Sequence, residues 1–402
     1  MKINVAVFFG CSSVEHEVSV ISGVQAMRSL DREKYNVIPV YVSKNGDFLT
    51  GDALFDIEEY KDLPALMGKC RPVTLVREEN CVLLRSIKSS LLHRDKGTPI
   101  DIALPVVHGT NCEDGTIQGY FELLGLPYAG CDILSSAVGM DKNVFKRTVA
   151  ADDLPVLRCA TVTAKMWIEE PERVEKCVAE EIGYPAIVKP VNLGSSVGIS
   201  RVDSAEKLHE AVKLALSFTD TLLIERAITN LREINCSVLG DRDECEASVC
   251  EEPLMGDEIL SYEDKYMRGG KSAKGDGSKG MASLQRKIPA DLSAQKTAEI
   301  QDLAVRTFKC LGCCGVVRID FMIDCDDNDK VYINEINTIP GSLAFYLWEA
   351  TGVKYTELLD RILDLGFKRA RRRENLMFTI DTNLLSMGGG LGGTKGSKGK
   401  LG

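Results

Sequence analysis

Arg318-Ile319-Asp320-Phe321-Met322-Ile323, an acidic turn over residues 324–329, and then Val331-Tyr332-Ile333-Asn334-Glu335-Ile336-Asn337-Thr338-Ile339-Pro340-Gly341 form the stretch on which the fold reading turns. Apolar residues alternate on both sides of a turn rich in Asp and Asn, the pattern of two antiparallel strands joined as a hairpin. Side chains point to alternate faces along a strand, so Glu335 and Asn337 share one face, and Arg318 and Asp320 share one on the partner. Asp320, Glu335 and Asn337 then converge as three oxygen donors with a cation beside them. Hard oxygen ligands with so few carboxylates suit Mg²⁺ that keeps waters and takes substrate phosphates. Arg318 and the backbone N–H of Gly341 are placed to steady developing negative charge. A lone carboxylate on a strand is more often a charge facing water, but three oxygen donors, an arginine and Pro340-Gly341 together favour a site. Asp324, Asp326, Asn328 and Glu335 fall at EF-hand spacing. Asp329 stands where that loop needs glycine and the flanks are strands, so the EF-hand is rejected.

A chain of 402 residues holds two or three domains with sizeable cores. A net charge of -10 and a pI near 5.2 argue against nucleic acid or an anionic membrane as the main partner. No apolar run approaches the roughly 18 residues of a membrane helix, and residues 5–9 are too short for a signal core, so a buried first strand is expected there. The 14 cysteines are scattered rather than spaced as a framework, which points to free thiols in a reducing cytoplasm. Cys310-Leu311-Gly312-Cys313-Cys314 holds one C-x-x-C; with no second pair it reads as a helix end rather than a zinc site.

The first strand leads into Gly10-Cys11-Ser12-Ser13 and a helical pattern over residues 17–30, followed by a second strand over 37–42. That is the start of an open α/β sheet, whose ligand crevice would lie at the loop holding Ser12, Ser13 and Glu15. Glu15 alone also fits a helix-dipole partner. Residues 102–107 read as a buried strand ending at His108, with Glu113 on the next loop. A substrate crevice and a satisfied loop histidine explain His108 about equally. Near Gly130 the pattern changes to shorter strands and charged helices, which marks a boundary.

Beyond it, Asp141-Lys142 opens a helix, and Ala186-Ile187-Val188-Lys189-Pro190 is a strand that runs into Gly194-Ser195-Ser196-Val197-Gly198. A Gly/Ser turn can close backbone N–H groups over phosphate while Lys supplies a point charge, although taken singly it is more often just a turn. Residues 221–225 form a strand, leading by Arg226-Ala227-Ile228 to Glu233, a connector suited to adenine through its backbone and ribose through Glu. Residues 261–280, with Tyr262, Lys265, Tyr266 and five glycines, read as a mobile lid. An amphipathic helix is expected over 293–311 and a last helix over 355–367. The basic run over residues 368–373 reads as a solvated helix end, and a flexible Gly/Lys tail follows.

As an ordered set these motifs resemble the ATP-grasp carboxylate–amine ligases, and most closely the D-alanine:D-alanine ligases. The resemblance runs from residue 5 to about 341. It is carried by Ser12-Ser13-Val14-Glu15-His16-Glu17-Val18-Ser19, His108-Gly109 with Glu113-Asp114-Gly115, Asp141-Lys142, the Lys189 strand with its Gly/Ser turn, Tyr262-Glu263-Asp264-Lys265-Tyr266, Arg318-Ile319-Asp320 and Asn334-Glu335-Ile336-Asn337-Thr338. It implies α/β and α+β classes in a three-domain ATP-grasp architecture. Residues 1–130 would be a Rossmann-like open α/β sheet, 131–225 a central subdomain, and 226–367 a C-terminal subdomain with the metal site and a lid over 261–285. Residues 368–402 would be the tail.

By the same resemblance, Lys142, Lys189, Ser196 and Lys265 hold the phosphates of ATP, while Glu225, Ala227, Ile228 and Glu233 hold adenosine. Mg²⁺ or Mn²⁺ sits on Asp320, Glu335 and Asn337. Glu15, in a hydrogen-bonded set with Ser195 and Tyr266, takes the first D-alanine's ammonium; His108 serves that side of the site, in proton traffic. Arg318 and the Gly341 amide hold an oxyanion. A cytoplasmic homodimer making D-alanyl-D-alanine for peptidoglycan is implied. Alternatives are a D-serine or D-lactate ligase on the same fold and a non-catalytic nucleotide-binding relative. Cys11 and Cys112 stand where the family usually has Gly. The run Ser342-Leu343-Ala344-Phe345-Tyr346-Leu347-Trp348 departs from the family's Thr-Ser-containing run, which leaves the acceptor open.

Overall fold

Sixteen strands sort into three sheets in the computed structural model, which describes residues 2–79, 81–87, 95–194, 198–253 and 286–378. The first sheet contains β1 (Ile3–Gly10), β2 (Tyr35–Val42), β3 (Phe48–Thr50), β4 (Arg71–Glu78), β5 (Cys81–Ser86), β6 (Thr98–Ile100) and β7 (Ile102–Pro105). Its order is β6-β5-β4-β3-β2-β1-β7. Central β1 lies parallel to β2 and β7, and Val5 to Phe9 are buried on both faces, which is why they read as an unbroken apolar run. The expected open α/β sheet is therefore present, widened by the antiparallel strands β3 to β6. Chain order reverses at β1, which places a crevice beyond the carboxyl ends of β1 and β7, at residues 10–15 and 106–109.

The second sheet is antiparallel: β8 (Cys159–Thr163), β9 (Ala186–Pro190), β10 (Ser200–Val202) and β11 (Thr221–Arg226), ordered β10-β9-β11-β8. The third holds β12 (Leu231–Gly240), β13 (Cys245–Pro253), β14 (Arg286–Lys287), β15 (Gly315–Asp324) and β16 (Lys330–Asn337), ordered β14-β13-β12-β15-β16. The expected hairpin is β15–β16. Its register sets Arg318 opposite Asn337 and Asp320 opposite Glu335, with a bulge after Asp320.

Packing crosses the expected domain limits at two places. Cys131, Phe145, Val149 and Leu154 join Ile234, Phe308 and Val317 in one core, so residues 131–154 pack on the third sheet rather than with the second. The last helix, Tyr355–Glu374, runs past 367 and places Leu358, Leu359, Ile362 and Leu363 in the core of the first sheet. Gly366 permits that approach, since a Cβ there would lie 2.8 Å from the Tyr128 carbonyl oxygen and 2.9 Å from Ile102 Cδ1.

The basic run is a solvated end only in part: residues 371–373 are exposed, while residues 368–370 are half-buried. Arg369 donates to the carbonyls of Tyr128 and Gly130 and lies 4.0 Å over the Tyr128 ring. Lys368 pairs with Asp241 at 2.6 Å, and Arg373 pairs with Glu122. These contacts tie the helix to the first and third sheets at once. The lid residues 261–285 and the tail from 379 lie outside the described residues. Among the described residues no helix is long and apolar enough to cross a membrane.

Candidate active site

One cleft is lined by the second and third sheets and, on its N-terminal wall, by Glu15, Val18, His108 and Glu113 beyond the first sheet's strand ends. Across the third sheet the strand register sets Glu335 opposite Asp320, Asp320 opposite Asn235, and Asn235 opposite Glu251. Four polar side chains therefore cross β16, β15, β12 and β13 in a row, and all four line the cleft. Arg318 grips Asp320 with two parallel bonds, Nε to Oδ1 at 2.7 Å and Nη2 to Oδ2 at 2.8 Å. Asn337 Nδ2 adds a third bond to Asp320 at 3.0 Å. Burial pushes the Asp320 carboxyl up, while Arg318 draws it back down. Glu335 meets Lys142 Nζ at 3.1 Å.

The three expected oxygen donors thus come together. Among the described residues no three Asp, Glu, His or Cys side chains form a metal cage. Two carboxylates and one amide are instead the sparse, hard-oxygen donor set that suits Mg²⁺ sharing its shell with phosphates and water.

Asp141 caps the helix Lys142–Ala151 by accepting from the N–H groups of Asn143 and Val144, both at 2.9 Å. Lys142 and Lys146, one turn apart, then share a face. Lys142 also donates to the Leu193 carbonyl at 2.8 Å. Lys189, near the end of β9, reaches Asn334 Oδ1 at 3.3 Å and pairs with Glu225, whose other oxygen takes Lys146. Glu225, expected at adenosine, thus has both carboxylate oxygens on lysines. Its carboxylate, 2% exposed, is already shared between two ammoniums. Burial alone would raise this carboxyl, but the lysines override it and hold it at about 2. Burial also lowers the Lys189 ammonium. Ala227, Ile228 and Glu233 line the cleft beside this cluster. Ser195, Ser196, Lys265 and Tyr266 lie outside the described residues.

On the N-terminal wall, Glu15 is buried at the start of the helix His16–Ser29. A Cβ at Gly109 or at Gly194 would come within 3.0 Å of its Oε2, so glycine backbone encloses the carboxylate from two sides. Gly10, with φ +95, cannot carry a side chain, since a Cβ would sit 2.5 Å from the Val42 carbonyl oxygen. Cys11 follows at φ 78, a conformation that explains why glycine would be usual there. Its carbonyl takes His16 Nδ1–H at 2.6 Å.

His108 is held at both ring nitrogens. Its Nδ1 faces the Ile339 carbonyl at 2.7 Å and must carry the proton, so Nε2 accepts the Ser22 hydroxyl at 2.8 Å. Burial lowers its pKa, keeping the ring neutral. Glu113 works alongside it, accepting from Gly109 N–H at 2.7 Å and Ile339 N–H at 3.1 Å. Burial and then the nearby Glu15 charge raise its carboxyl to about 8.

Sequence reading passed over Lys146, Asn235, Glu251, Arg286 and Tyr346, all placed by the fold at or beside the cleft. Asn235 and Glu251 did leave a signal, as polar residues set into apolar strand runs; Lys146 recurs one helical turn after Lys142.

A family model described as the D-ala D-ala ligase C-terminus matches residues 148–364, and one for the N-terminus matches residues 4–131. The chain belongs to the D-ala D-ala ligase family. Its relatives include the D-alanine--D-alanine ligase of Thermosipho melanesiensis, 40% identical over 96% of this chain and 99% of that one. That of Heliobacterium modesticaldum is 39% identical over 93% and 97%. The D-alanine-D-alanine ligase structure from Coxiella burnetii superposes with a TM-score of 0.76 at 29% identity, over 93% of this chain and 96% of that one. The VanG D-Ala:D-Ser ligase from Enterococcus faecalis does so with 0.74 at 27% identity, over 91% and 100%. The three sheets are those of the ATP-grasp fold of this ligase family, with ATP and divalent cations as its reagents.

Proposed function

We propose that the cleft joins two D-alanines into D-alanyl-D-alanine at the expense of ATP, for peptidoglycan precursors. The observation that carries this is the convergence, in one cleft, of Lys142 and Lys189 with the Arg318–Asp320–Glu335–Asn337 cluster. Lys142 and Lys189, with Lys265 and Ser196, hold the nucleotide's phosphates. Ala227, Ile228 and Glu233 hold adenosine, and Glu225 keeps Lys189 in place. Asp320, Glu335 and Asn337 would hold Mg²⁺ or Mn²⁺, which when bound neutralises charge on the transferring phosphoryl group.

Glu15 takes the ammonium of the first D-alanine, within a set with Ser195 and Tyr266. The first carboxylate oxygen attacks the terminal phosphorus and ADP departs. The amine of the second D-alanine then attacks the acyl carbon, and phosphate leaves with that oxygen. Arg318 and the Gly341 amide steady the oxyanion formed between those events. A homodimer and a cytoplasmic setting belong to the same proposal; the second is supported by fourteen free thiols.

The test is ADP release with D-alanine, D-serine and D-lactate, followed by mass identification of the product. D-alanyl-D-alanine is expected. Dominant D-alanyl-D-serine or D-alanyl-D-lactate would reassign the acceptor, and absence of D-alanine-dependent ADP release would leave a non-catalytic nucleotide binder.

A further inference from the structure

Lys146, 1% exposed, holds an ammonium in the interior. The strands explain how it comes there. Lys189 on β9 lies opposite Leu223 on β11, and Leu223 and Glu225 are two positions apart, so Lys189 and Glu225 are diagonal neighbours on one face of the second sheet. The helix Lys142–Ala151 meets that face, where Thr161, also opposite Leu223, donates to Asn143 Oδ1 at 2.7 Å. Nearly one turn beyond Asn143, Lys146 reaches Glu225 Oε2 at 2.5 Å, while Lys189 holds Oε1. Glu225 and Lys189 line the cleft; Lys146 does not.

We propose that Lys146 is a positioning residue for the nucleotide: it neutralises the Glu225 carboxylate that orients Lys189, so that Lys189 is fixed by an anion and still presents its charge to the phosphates of ATP. The proposal rests on the reading of Lys189 as a phosphate ligand. An ammonium on a flexible four-carbon stem needs a partner to hold it in one place. A carboxylate does so, but it also cancels the charge that phosphate needs. Two ammoniums on one carboxylate leave one positive charge in excess. With Lys146 gone, Glu225 and Lys189 would form a neutral pair, and a carboxylate at the cleft wall would face the phosphates uncompensated.

The neighbours leave this task to Lys146. Among the described residues the cations paired with Glu225 are Lys146 and Lys189. Lys142, the next ammonium along the cleft, pairs with Glu335 at 3.1 Å, and Asn334, at 3.3 Å from Lys189, brings no charge. Nor does stability alone account for the triad, since apolar groups of similar volume often serve a buried position as well as ion pairs do. Beside an anion site, the excess charge has a use that a packed core lacks.

The full chain is titrated with ATP and Mg²⁺ to give the ATP dissociation constant, and ADP release gives the Michaelis constants for the two D-alanines. Lys146→Gln, which keeps a donor for Glu225 but removes the charge, is expected to raise the ATP constant by about 20-fold, with both D-alanine constants within about twofold, the scale of one charged hydrogen bond lost at the nucleotide alone. Lys146→Arg, which keeps the charge, is expected to stay within about threefold of the unaltered chain. Lys146→Gln combined with Glu225→Gln removes both charges and is expected to bring the ATP constant back to within about fivefold, a rescue that a purely structural role would not show. If Lys146→Gln does not fold, Lys146→Met, alone and combined with Glu225→Gln, carries the test with the same expected constants. An ATP constant that does not move on losing the charge, an arginine variant as weak as the glutamine one, a double variant that binds ATP no better than the single one, or a parallel rise in the D-alanine constants would each overturn the proposal while leaving the ligase reading intact. ATP binding by the unaltered chain without D-alanine-dependent ADP release would overturn the ligase reading alone, and failure to bind ATP would overturn both.

Discussion

Ser22 Oγ, on the helix His16–Ser29, accepts the backbone N–H of Ser342 at 2.9 Å. The same hydroxyl donates to His108, whose other nitrogen holds the Ile339 carbonyl. What these bonds restrain is a strained turn. Ser342, Leu343 and Ala344 have φ of 51, 54 and 50, and left-handed backbone costs a non-glycine residue about 1–2 kcal/mol. Gly341, whose amide we assign to the oxyanion, opens that turn. Strain of this kind persists only where the surroundings over-determine it.

Ser22→Ala should therefore damage both the fold and the chemistry. It leaves His108 Nε2 and the Ser342 N–H without their partner, a loss of about 1–3 kcal/mol. Thermal unfolding should shift down, and kcat should fall by a larger factor than the Michaelis constant for ATP rises. An unaltered kcat in ADP release would mean the turn is held by other contacts.

Glu225 makes a prediction in acid. Its carboxyl is held at about 2 in the fold, against an ordinary 4.5. A depressed carboxyl contributes stability that is fully present above the ordinary value and is lost as pH falls through the folded one. Unfolding midpoints of the unaltered chain should drop between pH 4.5 and 2. Glu225→Gln, which strands two buried lysines, should be less stable at pH 7 and should lose less across that interval. Parallel curves for the two proteins would show that the lysine pair does not set the carboxyl's state.

Arg369→Ala tests whether the C-terminal helix is structural. It removes the donors to the Tyr128 and Gly130 carbonyls and the contact on the Tyr128 ring. A loss of about 1–3 kcal/mol is expected in denaturant unfolding, with Michaelis constants for ATP and D-alanine unchanged. Stability equal to that of the unaltered chain would return the basic run to a solvated end.

Glu335→Gln addresses the proposed metal donors. The Glu335 side chain is 30% exposed, so the variant should fold and melt close to the unaltered protein. Turnover should fall by roughly 10³-fold or more, the scale of losing an electrostatic group aimed at transferring charge. Retained turnover would show that the oxygen donors are misassigned.

Sequence alone disclosed the elements whose signal is local. The β15–β16 hairpin followed from alternation around an acidic turn, and β1 from an apolar run too dense to face water. What it could not disclose was partnership at a distance. Lys146 and Glu225 are 79 positions apart, and His108 is satisfied by residues 86 and 231 positions away. An even choice between ligand and strut at His108 was the most its loop could offer. The row from Glu335 to Glu251 needs the register of four strands, which no spacing along the chain encodes. Arg369 looked solvated because its acceptors, the Tyr128 and Gly130 carbonyls, lie in the N-terminal half of the chain.

The central claim is that one carboxylate oxygen of a D-alanine passes through phosphate before the peptide bond forms. D-alanine labelled with ¹⁸O in its carboxylate, incubated with the enzyme, ATP and Mg²⁺, tests this by the mass of the phosphate released. One ¹⁸O in each phosphate, matched to each D-alanyl-D-alanine made, is the predicted result; phosphate carrying no label while dipeptide accumulates would contradict the account.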